Sequence, residues 1–259
     1  MSDALLVQSH LKQSPRGNVV TLTINNPAKA NCLGRATMQA FIEKVSALRD
    51  DFELRAVVVT GAGDRAFVGG ADVRELAVLD AEEARRFITL VHQTCAAVRA
   101  LPVPVIARLN GAALGAGLEL AAACDFRIAA ARATFGMPEV RLGMPSVVEA
   151  ALLPQLIGWG RTRRLLLTGE AIDAATAERW GLVEAVAPDG ALDATLERAL
   201  DGILSSGSRA VRLQKRLIQD WETQPIHAAV QAGIECFVDA WTSDEPRRMT
   251  AAFLRSKRR

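Results

Sequence analysis

The sequence predicts an α/β core followed by a helical C-terminal region. Three observations lead to this fold class: β-branched apolar runs that stop at turn residues, segments of helical periodicity that alternate with them, and a purely helical pattern after Pro188. Strands that alternate with helices are joined by right-handed crossovers, which favours a largely parallel sheet. We therefore place residues 1–188 in the α/β core and residues 189–259 in the helical region.

The strands of the core are predicted from runs rich in valine, isoleucine and other apolar residues. They cover Val19–Ile24, Ala56–Thr60, Val103–Leu109 and Phe126–Ala129. The Ala56–Thr60 run is almost entirely apolar, which is typical of a strand that is covered on both faces. Because Pro104 has no amide to donate, it places the third strand at a sheet edge or lies at the beginning of that strand.

The helices are predicted from apolar residues at three- and four-residue spacing. In the core they cover about residues 35–50 and 80–100, and a third helix follows the glycine-rich turn at 110–117. In the C-terminal region, apolar stripes run through Leu192 to Ile203, Val211 to Ile218 and Ile226 to Trp241. This region is therefore predicted to contain helices without strands.

Composition narrows the class of protein. The chain has 259 residues, of which 50% are hydrophobic, so it can bury a large core. Its 31 basic and 29 acidic residues give a net charge of +2, which argues against nucleic-acid binding through a basic field. The four cysteines form no CxxC pair, and we recognise no signal peptide or membrane span. We expect a cytoplasmic protein without a metal site.

Glu119 is the first candidate catalytic residue. On a helix, its neighbours three and four positions away are glycine and alanine, so it belongs to no polar stripe. One interpretation is a buried carboxylate whose pKa is raised, which suits proton transfer at neutral pH. The other is a glutamate that reaches solvent at the start of its helix, and spacing alone leaves both open.

The turn before Glu119 contains three glycines. Gly111, Gly115 and Gly117 allow a ligand to approach the backbone closely, and the first amides of a helix can hold an oxyanion. A glycine-rich turn that serves only close packing is also common, and composition does not exclude it. The turn is neither a dinucleotide fingerprint nor a P-loop, because Leu120 replaces the third glycine and no Lys-Ser/Thr pair follows.

Two further segments carry candidate residues. The loop Arg65–Asp72 places small residues before a helix, where Asp72 and Glu75 have capping-box spacing. Asp72 is therefore predicted to cap the helix, and the Ala71 amide is the functional candidate. Glu139 follows Pro138, a position where a glutamate in the first turn of a helix is the ordinary explanation.

Taken in order, these segments resemble the enoyl-CoA hydratase/isomerase (crotonase) family. The matching stretches are Asn26–Leu33, Arg65–Asp72, Asn110–Asp125, Phe135–Glu139, Leu167–Glu170, Trp180–Val183 and Ala252–Lys257. One such motif is weak, whereas an ordered set that spans nearly the whole chain is highly specific.

The resemblance implies a fold and an assembly. The fold is a crotonase-like spiral of ββα units whose helical C-terminal region serves trimerisation or capping. The assembly is a homotrimer or a dimer of trimers. The substrate is an acyl-CoA thioester, so coenzyme A enters as part of the substrate and no separate cofactor or metal is implied.

The resemblance also implies roles for individual residues. The thioester oxygen lies between the amides of Ala71 and Ala116, an ionised Glu119 activates water, and a protonated Glu139 delivers a proton. The residues implied to line the CoA moiety are Lys29, Ala30, Ala66, Ala71, Asp72 and Val73. Lys257 and Arg258 either meet its phosphates or form a solvated tail.

One segment departs from the family pattern. After the Pro-Glu pair, hydratases usually carry a glycine-rich segment that ends in Gly-Gly-Thr-Gln, whereas this chain has Leu142-Gly-Met-Pro-Ser-Val-Val-Glu-Ala-Ala151, which is one residue shorter. Ser146 and Glu149 have Ser-x-x-Glu spacing. We therefore predict a capping box at this point rather than a third catalytic acid.

The implied activity is that of an enoyl-CoA hydratase, which adds water across the 2,3-double bond of a trans-2-enoyl-CoA. Because the altered segment normally lies beside the acyl chain, an enoyl-CoA isomerase or another crotonase-type reaction is the alternative. A non-catalytic acyl-CoA or RNA-binding protein on the same scaffold is the alternative from another class. The presence of both glutamates favours hydration.

Overall fold

The computed structural model describes residues 6–257 and contains two sheets and ten α-helices in that range. The strands, numbered along the chain, are β1 (Val7–Lys12), β2 (Asn18–Ile24), β3 (Leu54–Gly61), β4 (Ala66–Val68), β5 (Val105–Leu109), β6 (Ala112–Leu114), β7 (Phe126–Ala130), β8 (Thr134–Gly136), β9 (Ala171–Asp173) and β10 (Ala185–Ala187). The helices are α1 (Arg35–Ser46), α2 (Val73–Leu76), α3 (Ala81–Arg99), α4 (Ala116–Ala123), α5 (Leu153–Thr168), α6 (Ala174–Trp180), α7 (Leu192–Ser205), α8 (Ser208–Thr223), α9 (Ile226–Ala240) and α10 (Glu245–Ser256). Short 3-10 helices cover Pro27–Lys29, Pro138–Leu142 and Val148–Leu152.

Successive ββα units share their strands between the two sheets. The larger sheet has the order β1-β2-β3-β5-β7-β10, and the smaller has the order β4-β6-β8-β9. The first strand of each unit, β3, β5 or β7, joins the larger sheet, and the second, β4, β6 or β8, joins the smaller. All pairs among these six strands are parallel. The result is the spiral that the resemblance implied.

The larger sheet is covered on both faces. All eight residues of β3 are buried, as the apolar run predicts. Val57 and Val59 face the main core with α1, α3 and α4, whereas Ala56 and Val58 face a second core that α7 completes with Leu192, Leu196 and Leu200. Alternate residues of the strand thus serve two cores, and the first helix after Pro188 packs directly on the sheet. The domain boundary at that residue stays a prediction.

The long strands and helices are confirmed within a few residues, but the short strands escape the sequence pattern. β5 begins just after Pro104 and pairs with β3 and β7, so the sheet-edge alternative for this strand is wrong. β4, β6 and β8 have three residues each, too few for a period to show. β6 lies within the stretch that we predicted as a turn.

None of the helices within residues 6–257 combines the length and the apolar character that a membrane crossing requires. Residues 1–5 of the N-terminal stretch, and Arg258, lie outside the described residues.

We expect Gly117→Ala to destabilise the fold. A Cβ atom at this position would lie 2.1 Å from the carbonyl oxygen of Val68 at the end of β4, so the backbone of α4 would have to move. The cost of such overpacking is about 1–3 kcal/mol in the free energy of unfolding, which urea titration measures.

Gly202→Ala in α7 is the matched control, because nothing lies within 4 Å of a Cβ added there. That change should stabilise the protein by about 0.5–1 kcal/mol through helix propensity. A Gly117→Ala protein as stable as the wild type would show that α4 and β4 are not packed this closely.

Candidate active site

The candidate residues lie where three neighbouring parallel strands end. Because β4, β6 and β8 are adjacent and parallel, the loops after their carboxyl ends meet at one edge of the smaller sheet. Ala71 follows β4, Ala116 and Glu119 follow β6, and Glu139 follows β8. The strand order thus brings all four predicted residues to the same edge.

Ala71 lies in the short connection between β4 and α2. It forms an isolated parallel bridge with Leu33, in which the Leu33 amide donates to Gly70 and the Asp72 amide donates to Leu33. Neither of these two hydrogen bonds uses the Ala71 amide. This amide therefore remains a candidate donor for a substrate oxygen.

Ala116 is the first residue of α4, and its amide precedes the hydrogen bonds of the helix. Those begin with the amides of Leu118 and Glu119, which both donate to the Gly115 carbonyl. An amide at this position points outward along the helix axis, at the positive end of the helix dipole. The start of α4 is thus suited to stabilising a developing negative charge.

Glu119 is buried on α4, with 4% of its surface exposed. Its Oε1 atom accepts a hydrogen bond of 3.2 Å from the Ala150 amide. Burial raises the pKa of Glu119 to about 8, and the negative charges of Glu139 and Glu149 add to this, whereas the Ala150 amide opposes it. The buried interpretation is confirmed and the solvent-reaching one is wrong.

This pKa also changes the expected charge state. With a pKa of about 8, Glu119 holds a proton at neutral pH in this structure. The ionised Glu119 that the resemblance implied stays a prediction, and burial opposes it, because burial costs an unpaired carboxylate more than one hydrogen bond returns.

Glu139 lies in the first turn of a 3-10 helix, as its position after Pro138 predicted. Its Oε2 atom accepts a hydrogen bond of 2.7 Å from the Ser146 hydroxyl. Its Oε1 atom is so close to Gly115 that a Cβ there would lie 2.2 Å away. Gly115 also has a φ of +50°, which favours glycine, so only this residue type lets the carboxylate reach the start of α4.

The predicted capping box at Ser146 and Glu149 is wrong. The 3-10 helix there begins after Val147 and has no side-chain cap. The Ser146 hydroxyl donates to Glu139 instead, and the Oε1 atom of Glu149 lies 2.7 Å from Nδ1 of His92 on α3. Tertiary partners thus outcompete the local cap.

Asp72 caps α2 as predicted, by accepting a hydrogen bond from the Arg74 amide. Glu75 does not complete the capping box, because it accepts a hydrogen bond from the Arg35 amide at the start of α1. Burial alone would raise the pKa of Asp72, but the Arg74 amide and the Lys29 ammonium lower it.

The residues implied to line the CoA moiety fall into two groups. Lys29 forms an ion pair of 3.1 Å with Asp72, and Val73 is exposed next to it, so these three meet near Ala71. Ala30 follows the 3-10 helix in the left-handed region, and its carbonyl accepts from the Gly69 amide. Ala66 is buried, and its carbonyl accepts from Asn31 and Asn110, so it supports the site from behind.

Within residues 6–257, no group of three or more histidine, cysteine, aspartate or glutamate side chains is arranged to hold a metal ion.

Comparison with known proteins agrees with this geometry. A family model described as enoyl-CoA hydratase/isomerase matches residues 15–258. The chain belongs to the enoyl-CoA hydratase/isomerase family.

Similar members of this family include two hydratases. The crotonyl-CoA hydratase of Syntrophomonas wolfei is 37% identical over 241 residues, and the short-chain-enoyl-CoA hydratase of Clostridium acetobutylicum is 34% identical over 243 residues, each with 93% of both proteins covered. The crystal structure of an enoyl-CoA hydratase from Bacillus anthracis matches with a TM-score of 0.91 at 33% identity, covering 97% of this chain and 96% of that one. The crotonase-like fold is confirmed.

Three contacts of the site were missed in the sequence: the Ser146 hydroxyl on Glu139, the Ala150 amide on Glu119 and the His92 ring on Glu149. All three belong to or contact the segment that departs from the family pattern. That departure was the only signal, because the three contacts span 7, 31 and 57 positions of the chain, beyond the spacing of helix caps and turns, and one of them uses a backbone amide.

We expect Glu119→Gln to stabilise the protein, increasingly so as the pH rises. The pKa of Glu119 rises from 4.5 to about 8 on folding, so above pH 4.5 the unfolded state loses a proton that the folded state keeps. The wild type therefore loses stability across this interval, whereas the glutamine variant does not. The difference should be absent near pH 4 and reach on the order of a few kcal/mol near pH 8.

Urea titrations of both proteins at several pH values measure this difference, with Glu43→Gln on the exposed face of α1 as the control. A constant difference between pH 4 and pH 8 would mean that Glu119 is ionised in the folded protein.

Proposed function

We propose that this chain is an enoyl-CoA hydratase that adds water across the 2,3-double bond of a trans-2-enoyl-CoA thioester. The observation that carries the proposal is the placement of two carboxylates, Glu119 and Glu139, at the strand edge where the Ala71 and Ala116 amides also lie. The hydratases among its relatives support this activity. The names of the two relatives above support a short acyl chain.

The two amides stabilise the charge that develops during addition. As water attacks C3, the electrons of the double bond move toward the thioester oxygen, which becomes enolate-like. Donors fixed in advance at this oxygen are worth more than donors that must reorient, and they usually supply the largest catalytic contribution. Ala71 and Ala116 are fixed by a strand bridge and a helix start, respectively.

The two glutamates handle the protons as a pair. One carboxylate removes a proton from water as the C3–O bond forms, and the other delivers a proton to C2 as the enolate collapses, so the pair holds one proton before and after the turnover. The negative charge of Glu139 raises the pKa of Glu119, which favours this single shared proton. Carboxylates coupled in this way titrate together, so the acid and base roles belong to the pair.

Substrate binding is proposed to use the surface beside Ala71. Lys29, Ala30, Asp72 and Val73 follow the path along which a CoA group would leave the site, and Lys29 supplies a positive charge for its phosphates. Ala66 contributes by shaping the backbone rather than by contact. A reducing compartment such as the cytoplasm belongs to the proposal, because the four cysteines, all within the described residues, are free thiols.

The protein should consume trans-2-enoyl-CoA with loss of the conjugated thioester absorbance and a mass gain of one water. Glu119→Gln and Glu139→Gln should each lower kcat by roughly 10²–10⁴, because each variant keeps the shape of the side chain but cannot transfer a proton. A panel of trans-2- and 3-enoyl-CoA thioesters, followed by absorbance and mass, provides the measurement.

The same panel separates the alternatives. A shifted double bond with unchanged mass identifies an isomerase, which can operate with one acid, and tight binding without turnover identifies a binding protein. Normal hydration by either glutamine variant would remove that residue from the mechanism.

We also propose that the C-terminal helices assemble the chain into a homotrimer or a dimer of trimers. In α9, which the structure describes in full, no residue is buried. Its exposed apolar residues form one stripe with Trp241, which directly follows the helix: Ile226, Val230, Ile234, Phe237 and Val238. A groove of about 640 Å³ lies between α8, α9 and α10, away from the two glutamates. Burying this surface against other subunits is what an assembly would gain.

Phe237→Glu should shift the protein to a smaller species, because a charge in the centre of the apolar stripe opposes its burial. Sedimentation velocity measures the change. Phe52→Glu is the control, since Phe52 is 85% exposed and lies before β3, outside these helices. Unchanged sedimentation of Phe237→Glu would exclude α9 from the interface.

A further inference from the structure

The segment that departs from the family pattern provides a partner for each candidate acid. The Ser146 hydroxyl donates to Oε2 of Glu139 at 2.7 Å, and the Ala150 amide donates to Oε1 of Glu119 at 3.2 Å. Residues 146–150, which we name the acid strap, therefore contact both carboxylates. A change in the conformation of this strap would therefore change one hydrogen bond to each acid.

The strap contains strained backbone. Val148 has a φ of +40°, in the left-handed region where a β-branched side chain is a clear outlier. Such a residue costs of the order of 1–3 kcal/mol and persists only where its surroundings hold it in place. The strap therefore needs an anchor next to Val148.

Glu149 provides this anchor through its side chain, which contacts α3 at His92 and at the Cys95 thiol. Its Oε1 atom lies 2.7 Å from Nδ1 of His92 on α3, with 8% of the Glu149 side chain exposed against 55% of the His92 side chain. The ring thus approaches from the surface and meets the carboxylate at the edge of the core. α3 is a long helix that the main core holds through its buried stripe, so His92 is a fixed point.

The second oxygen of Glu149 points to an electrostatic role beside the mechanical one. Oε2 is buried and has no hydrogen-bond partner within the described residues. Its charge acts on Glu119, and also on the thiol of Cys95 on α3, whose pKa burial and the nearby carboxylates raise well above its usual range. Glu149 thus sits between the surface histidine and the buried acid.

We propose that Glu149, anchored by His92, is a positioning residue of the hydration site that holds the acid strap so that Ser146 and Ala150 reach the two catalytic carboxylates. The inference rests on the proposed function. It also gives the altered segment a role: in place of the glycine-rich segment usual in hydratases, this chain has a segment that is held by a contact with α3. The acids that touch substrate remain Glu119 and Glu139, and Glu149 acts through them.

The experiment compares the wild type with His92→Ala, His92→Asn, Glu149→Ala and Glu149→Gln on trans-2-butenoyl-CoA. His92→Ala and Glu149→Ala release the strap, so kcat should fall roughly 10-fold or more while KM changes less than about threefold, because the CoA contacts lie elsewhere. The asparagine amide can take the place of Nδ1, so His92→Asn should recover most of the lost turnover. Gln93→Ala, an exposed neighbour on α3, is the matched control and should behave as the wild type.

Glu149→Gln separates the charge from the anchor, because the amide can still accept a hydrogen bond from His92. The charged or titratable groups that act on Glu119 are Glu139, Glu149 and Cys95. Removing the charge of Glu149 leaves Glu139 as the main neighbour and lowers the pKa of Glu119. The alkaline limb of the kcat profile should therefore move to lower pH, with kcat at its optimum within a few-fold of the wild type.

Hydrogen exchange of the backbone provides a readout that is independent of activity. Exchange across residues 146–150 should rise in His92→Ala and Glu149→Ala and stay unchanged in Gln93→Ala. If both alanine variants fold and keep the wild-type kcat and exchange, the inference is overturned. If the wild type hydrates no enoyl-CoA, the proposed function fails instead, and the exchange data still report whether His92 and Glu149 hold the strap.

Discussion

The parallel pairing of β4, β6 and β8 is the constraint on which the rest of the site depends. Each strand has only three residues, so ladder hydrogen bonds alone fix little. Two buried asparagines add to the pairing, because the Ala66 carbonyl in β4 accepts from Asn31 at 2.8 Å and from Asn110 at 3.1 Å. Once these strands are aligned, the segments that follow them, which carry Ala71, Glu119 and Glu139, all begin at the same edge of the sheet. The order of the strands in the smaller sheet thus determines that these residues lie near one another.

A buried carboxyl at this edge opposes stability, and the surrounding structure reduces the cost only in part. Glu119 receives one backbone amide while two other carboxylates face it, so the protein keeps a proton there instead of a charge. The same arrangement would be a poor choice for a structural residue, since an apolar side chain of similar size would pack without this penalty. The other residues of α4 are small or apolar, so a buried glutamate among them suggests a role in proton transfer.

The sequence predicted those features that follow from the spacing of apolar and polar residues. The continuous run at Ala56–Thr60 indicated a strand buried on both faces, and the lack of a polar stripe around Glu119 indicated a buried carboxylate. Neither argument reaches the contacts of the strap. Ser146 and Glu149 have the spacing of a local cap, yet each contacts a residue of another element. The Ser146 hydroxyl donates to the Glu139 carboxylate, and the Glu149 carboxylate lies next to the His92 ring. Contacts with other parts of the fold can therefore override a local capping propensity.

The helical C-terminal region is linked to the site by side-chain packing and hydrogen bonds as well as by chain connectivity. α7 completes the second core of the larger sheet, whereas α8 contributes Lys215, whose ammonium donates to Asp125 and to the Val103 carbonyl, both at 2.8 Å. Asp125 comes directly after Cys124, which ends α4, and its carboxylate also accepts from the Val105 amide at the start of β5. One buried lysine therefore ties α8 to the far end of the helix that begins with Ala116. Because α8 is in turn packed against α9, any assembly that buries the apolar stripe of α9 holds α8 in place and, through Lys215, supports the helix on which Ala116 and Glu119 lie.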